Sequence, residues 1–320
     1  MAYLIGTDEA GYGPNLGPLL VSASVWRVSD VDCELYRDLA SVVTKEKQRR
    51  EKTASSKIAI ADSKMLYKPR GGLAGLELPL FSAVRELTTV STWRECWRSL
   101  TAGNCDEVDQ LPWYRDFDCS IPIDADVKEV GECRERFATC LSAHSVELQT
   151  VRSVAVFPQR FNRLVAEFDS KGATLSNVTL DLVADLIRDL DAEPIRIVCD
   201  KHGGRNSYAG FLQPRFDDRL VRVRHESRPE SSYDIGTADQ PISISFRSKG
   251  ESFLPSALAS LASKYLRELA MLAFNDFWQQ RQADLRPTAG YPMDAKRFRV
   301  DVAEARRKLK IHDDLFWRNR

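Results

Sequence analysis

The sequence lacks most of the features that assign a chain to a special class. It has no Cys-x-x-Cys pair, and its seven cysteines (33, 96, 105, 119, 133, 140 and 199) are odd in number and scattered. That pattern argues against a disulfide framework and for reduced thiols in a reducing compartment. Glycine and proline are modest, 16 and 14 in 320 residues, which excludes collagenous and low-complexity chains. Charge of one sign is missing too: 46 basic and 46 acidic residues cancel, so composition alone does not announce a nucleic-acid binder, although local patches remain open. No apolar run is long and clean enough for a bilayer. The best stretch, 254–272, carries Lys264, Arg267 and Glu268, whereas a span needs about 20 residues nearly free of charge. Asp8 and Glu9 interrupt the opening apolar run before it reaches signal-peptide length. A cytoplasmic protein with no membrane association is expected.

What is present is ordinary globular material, 43% apolar and 29% charged. The length is about twice the usual domain of roughly 100–200 residues, so one elaborated domain or a domain with an insertion is expected. Residues 2–7 and 19–28 read as a hairpin around a Gly/Pro/Asn loop at 11–18. Residues 32–52 read as a helix ending in the solvated run KEKQRREK. Composition changes over 67–144, with Trp93, Trp97, Trp113, Tyr114 and five of the cysteines; this segment reads as an insertion whose aromatics form a small core. Residues 145–157 read as a strand, followed by a helix from Pro158 and a second at 175–190. Ile195, Ile197 and Val198 make a short apolar strand ending in Asp200 beside a glycine turn, and 220–223 and 242–246 alternate as strands.

Glu251 precedes a long helix with Pro255 in its first turn. Leu254, Leu258, Leu261, Tyr265, Leu269 and Leu272 recur on one face. Ala257, Ala259, Ser260 and Ser263 keep that helix slim enough for close packing. A basic helix, 294–310, follows.

Four acids stand at element ends: Asp8 and Glu9 after the first strand, Asp200 after an interior strand, and Glu251 ahead of a helix. Strand ends lying side by side would gather these carboxylates, and gathered like charges repel unless cations sit among them. Oxygen-only ligands suit Mg²⁺ or Mn²⁺, the setting for two-metal phosphodiester hydrolysis.

The opening IGTDEAGYGPNLGPLLVSA resembles the DEAGRGP-type signature of the ribonuclease HII (type 2 ribonuclease H) family. In the family's order, ADSKML at 61–66 resembles its DSKKL motif, and IVCD at 197–200 the strand bearing its third acid. SKGE at 248–251 and the Ala/Ser-rich helix after it are similar to its KGD segment, while GYP at 290–292 and His312 are similar to its closing stretch. The resemblance implies an α/β, ribonuclease H-like fold: a mixed five-stranded sheet flanked by helices. The catalytic domain would be 1–66 and 145–320, with 67–144 a helical insertion. It further implies Asp8, Glu9, Asp200 and Glu251 as catalytic, metal-binding acids for Mg²⁺ or Mn²⁺. Gly11, Tyr12, Gly13 and Tyr291 would lie beside the ribonucleotide, with Lys64 and Lys249 on phosphate, and the substrate would be an RNA/DNA hybrid or an embedded ribonucleotide cut to 3′-hydroxyl and 5′-phosphate ends.

This chain departs from the family pattern at two positions: Tyr12 replaces the arginine of the glycine loop, and Glu251 replaces an aspartate. These departures, with the insertion as a surface for a protein partner, frame the alternative of a catalytically impaired nucleic-acid-binding protein. His202 is a candidate for protonating the leaving group, Cys199 reads as a buried strand residue, and the basic final helix as a phosphate-tracking face.

Overall fold

Apolar side chains concentrate in the central strands of the main sheet, where helices cover both faces. The computed structural model describes residues 1–46, 57–69, 71–101, 105–248 and 250–319, without the side chains at 105, 106 and 251. In chain order the strands are β1 (Ala2–Ala10), β2 (Leu19–Val28), the two-residue β3 (Val43–Thr44) and β4 (Ile58–Ala59), β5 (Glu147–Val156), β6 (Ile195–Asp200), β7 (Arg222–Glu226), β8 (Glu230–Gly236) and β9 (Pro241–Arg247). The main sheet has the order β5-β2-β1-β6-β9-β8-β7. Across its first five strands β2 is antiparallel to both neighbours, while β1, β6 and β9 run parallel. This is the mixed five-stranded sheet expected, extended at one edge by the antiparallel β8 and β7. The sequence reading missed β8 because its inward positions, Ser231, Tyr233 and Ile235, include a serine.

Two expectations give way. Instead of a helix over 32–52 there is a single turn, Leu35–Asp38, and then β3 pairs in parallel with β4. Val42, Val43 and Thr44 supply β-branched side chains that lose χ1 freedom in a helix, and both valines are buried. Residues 47–52 of the charged run lie outside the described residues. The basic final helix is two, Pro292–Asp301 and Ala303–Lys308, parted at Val302.

On one sheet face, Tyr3, Ile5, Ile197, Ile242 and Ile244 pack with the helix Lys171–Arg188. On the other, Leu4, Leu20, Trp26 and Val198 meet the helix Leu254–Gln279. The helices Ala74–Ala83, Trp93–Leu100 and Val127–Ala143 join this second core rather than forming a separate one. Trp97 stacks on Phe157 with ring centres 6.0 Å apart, and Trp113 meets Phe274 edge-on at 5.2 Å. Buried Glu77 accepts from the Ile123, Asp124 and Ala125 amides at 2.6–2.8 Å and from the Tyr265 hydroxyl at 3.1 Å, which offsets the cost of burying its charge. Among the described residues no helix is long and apolar enough to cross a membrane, and the six described cysteines are free thiols.

The slim face of Leu254–Gln279 lies flush on β1 and β2. A Cβ at Gly6 would stand 2.0 Å from the Ser256 nitrogen and 2.3 Å from the Pro255 carbonyl carbon. Hydroxyls knit the contact: Ser24 donates to the Pro255 carbonyl (2.8 Å), Ser256 to the Val198 carbonyl (3.1 Å), and Ser263 to the Asp8 carbonyl (3.0 Å). A Gly6→Ala substitution must therefore push the helix off the sheet. It is expected to destabilise the protein by about 3 kcal/mol or more, the upper end for overpacking, read as a drop of several degrees in thermal melting; an unchanged melt would contradict this docking.

Candidate functional site

β1 and β6 pair in parallel with a constant offset, Tyr3 opposite Ile195 and Gly6 opposite Val198. Continuing that offset of 192 (195 − 3 and 198 − 6) sets Asp8 level with Asp200 at the carboxyl ends of adjacent strands. Side chains alternate along a strand, so Asp8 shares the face of Leu4, and Asp200 that of Val198, both turned toward the long helix. Glu9 follows at the next position. Carboxylate oxygens of Asp8, Glu9 and Asp200 lie within 4.8 Å of one another. All three residues are half-buried.

Such a cluster is costly without a counter-ion. Burial pushes the Asp8 carboxyl up to about 7; the Asp200 charge adds to this, while contact with the Ser260 hydroxyl opposes it. Glu9 is likewise held well above the usual carboxylate range by burial, then by the charges of Asp8 and Asp200, with Lys64 pulling the other way. The donor set fits a hard divalent cation. Ligands at about 2.1 Å allow trans oxygens about 4.2 Å apart, a sub-ångström adjustment from the observed spacing.

The remaining sequence-derived candidates fall around this cluster. Lys64 sits in the short helix Ser63–Leu66, whose first turn is capped by Asp62, and its charge reaches both Asp8 and Glu9. Gly11, Tyr12 and Gly13 follow β1; Gly11 has φ +90°, and Gly13 is exposed. Tyr12 lies over the turn after β6: a Cβ at Gly203 would come within 2.8 Å of its hydroxyl. Together with Lys171, Gly172, Gly204 and Arg205 these residues line a groove of about 410 Å³. Tyr291 is 56% exposed and caps the helix Pro292–Asp301, beside Gly290, whose carbonyl accepts from the Asn15 amide at 2.8 Å. Lys249 lies outside the described residues. Glu251 falls in the turn Gly250–Ser252 next to Asp200, where the Gly250 amide approaches Asp200 Oδ1 at 3.5 Å, but its side chain is outside the described set.

Three lesser readings are settled by burial and pairing. His202 is buried, its Nδ1 3.1 Å from the Ser176 hydroxyl and its ring against Tyr208 and Phe246. Burial pushes its pKa down to about 3, which favours the neutral imidazole over the acid form the sequence suggested. Cys199 is a buried strand residue, and burial pushes its thiol up to about 12. On the final helices much of the basic charge is already paired: Arg297 with Asp294 and Asp301, Arg299 with Asp313, and Lys308 with Glu304. That weakens the phosphate-tracking reading of this face.

The sequence reading treated Ser260 and Ser263 as spacers only, yet they touch the Asp8 carboxylate and carbonyl. It passed over Arg267 and Arg318, both fully buried behind the glycine loop. Arg267 donates to the carbonyls of Leu16 (3.1 Å) and Pro18 (2.5 Å). An arginine among leucines on the core face of a helix was the available signal for the first; nothing in the sequence marked the second.

No family model and no curated protein matches the sequence. Among solved structures the chain is similar to one of the PCNA:RNase HII complex from Archaeoglobus fulgidus, at 14% identity and TM-score 0.46, covering 99% of this chain and 94% of that one. It is also similar to the ribonuclease H2 from Pyrococcus horikoshii OT3, at 14% identity and TM-score 0.44, covering 98% and 92%. A third is Bst-RNase HIII in complex with Mn²⁺, at 16% identity and TM-score 0.44, covering 99% of this chain and 66% of that one.

The raised carboxyls set a pH signature. A carboxyl whose pKa is raised on folding keeps its proton in the folded state where the unfolded chain has lost it, so metal-free stability falls as pH rises from about 4 to about 7. Asp8→Asn removes that loss. In chelator at about pH 8 the variant is expected to melt about 2 °C or more above the parent, with the gain shrinking as pH falls, whereas added Mn²⁺ should stabilise only the parent. A variant that melts lower than the parent in chelator at that pH would contradict this assignment.

Proposed function

We propose that this chain is a metal-dependent endonuclease of the ribonuclease HII type, acting on the RNA strand or on embedded ribonucleotides of RNA/DNA hybrids. The observation that carries the reading is the convergence of Asp8, Glu9 and Asp200 at the carboxyl ends of β1 and β6, the acids that the ordered sequence motifs single out. Asp8, Glu9 and Asp200 would hold Mg²⁺ or Mn²⁺, with Glu251 as the fourth acid from sequence. Bound there, the ions would supply a water nucleophile at neutral pH and charge stabilisation at the leaving oxygen.

The chain's own residues do the rest by position. The long helix fixes Asp8 from behind through Ser263 on its carbonyl and Ser260 on its carboxylate. Lys64 brings a positive charge to the rim of the acidic cluster, where a scissile phosphate would approach. The loop at Gly11–Gly13 leaves Gly13 open, with nothing within 4 Å of the space a Cβ would fill, so a strand's sugar can approach backbone closely. Close backbone approach is one way a 2′-hydroxyl is read. Tyr12 offers an aromatic face and hydroxyl where the family pattern has a guanidinium, and Arg205 brings a cation to the same groove.

The test incubates the purified protein with an RNA/DNA hybrid, or with DNA carrying one ribonucleotide, in Mg²⁺ or Mn²⁺. Cleavage to 3′-hydroxyl and 5′-phosphate ends is expected, with Asp8→Asn lowering kcat/KM on the order of a hundredfold or more. Tight binding without turnover in either metal would assign the chain instead to the nucleic-acid-binding alternative.

A further inference from the structure

Arg318 is a guanidinium buried to 0% exposure, and no carboxylate is among its partners in the described residues. Its Nη2 donates to the carbonyls of Gly11 (2.6 Å) and Pro14, and its side chain lies over the Phe161 ring, 4.7 Å from the centroid. Nε and Nη1 have no hydrogen-bond partner among the described residues. The backbone of the same residue is locked to the loop in both directions: the Arg318 amide donates to the Asn15 carbonyl at 2.8 Å, and the Asn15 side-chain amide donates to the Arg318 carbonyl at 2.9 Å. Asn162, on the helix Pro158–Phe168, holds the segment from outside, donating to the Trp317 carbonyl (2.8 Å) and accepting from the Asn319 amide (2.7 Å).

Burying a cation against neutral carbonyls alone is expensive, so the arrangement needs a consequence that simple packing would not require. Peptide geometry supplies one. In a planar trans peptide the C=O and the following N–H point in opposite directions. With the Gly11 carbonyl drawn inward onto Arg318, the Tyr12 N–H is turned away from the buried side, and it has no partner among the described residues. Arg267 draws the Leu16 and Pro18 carbonyls inward in the same way from the helix side.

We propose that Arg318 is a positioning residue that fixes the Gly11–Tyr12 peptide with its N–H outward, as a donor to a sugar hydroxyl or phosphate oxygen of the bound strand. The substrate part of this inference rests on the nuclease reading above; the loop-ordering part does not. The experiment compares the parent with Arg318→Ala, Arg318→Lys and Asn162→Ala by steady-state cleavage of an RNA/DNA hybrid, Mn²⁺ titration, and amide hydrogen exchange over residues 11–17.

Arg318→Ala is expected to raise KM by roughly tenfold, the loss of one hydrogen bond to an anionic oxygen. Its kcat should stay within about threefold and its Mn²⁺ affinity should match the parent, because the acids are untouched. Exchange should speed up over 11–17 and not over 3–9. Lysine should restore part of the KM, and Asn162→Ala should shift KM and exchange in the same direction to a smaller extent; these two variants decide the matter if Arg318→Ala does not fold. An unchanged KM with unchanged loop exchange overturns the proposal, as does a joint fall of kcat and Mn²⁺ affinity, which would mark a general structural role. If the parent cleaves no hybrid, the nuclease reading fails on its own, and exchange over 11–17 still decides whether Arg318 orders the loop.

Discussion

The contact between the Ala/Ser face of Leu254–Gln279 and the bare backbone at Gly6 sets the positions of everything around it. A helix on a sheet is normally held off by its side chains, and here Gly6, Ser256, Ala257 and Ser260 remove that spacing. Close approach takes water from the ends of β1 and β6, where the acids sit, and brings hydroxyls in its place. Ser263 bonds the Asp8 carbonyl and also the Ser22 hydroxyl at 2.8 Å, which in turn meets the Ser153 hydroxyl at 2.7 Å. A polar chain therefore runs across β1, β2 and β5 under the helix, with each buried hydroxyl satisfied, as burial demands. The same proximity that rigidifies Asp8 also desolvates it, so the packing and the raised carboxyl pKa have one cause.

Zero net charge conceals a division of labour. Negative charge is gathered at strand ends, where it is unstable without a cation. Two buried guanidiniums lie behind the glycine loop and are close enough that Arg267 adds to the burial that lowers the pKa of Arg318. Neither opposes an acid at the candidate site; both are spent on loop carbonyls. Folding energy is thus committed to the shape of a loop with an exposed glycine at its tip, an arrangement that makes sense where backbone must meet a ligand.

Much of this was legible in the sequence, and for physical reasons. Short apolar runs and alternation marked β1, β2, β5, β6 and β9, because strands covered by helices bury mostly apolar side chains. The recurrence of leucines from Leu254 marked the long helix, and strand-end acids marked Asp8, Glu9 and Asp200. What stayed hidden depends on partners distant in the chain. β8 is disguised by Ser231 facing inward, and the parallel pairing of β3 with β4 joins pieces too short to carry a period. Buried Glu77 looks like any surface acid until its four donors are in view. Arg318 reads as one more base in a basic stretch, although a backbone over 300 residues away in sequence decides its role.

Tyr12 stands where the loops after β1 and β6 meet. A guanidinium at this position would bring positive charge to the loop itself. The tyrosine is neutral and rigid, and its hydroxyl fills the space left by Gly203, which takes φ +61° and leaves no room for a Cβ. Arg205, two residues on, lines the same groove and acts electrostatically on the Tyr12 hydroxyl. Positive charge at this rim therefore comes from the loop after β6, with the Tyr12 ring beside it in the loop after β1. Because both loops follow strands that carry the clustered acids, the position of this charge relative to the carboxylates is governed by the same pair of strands.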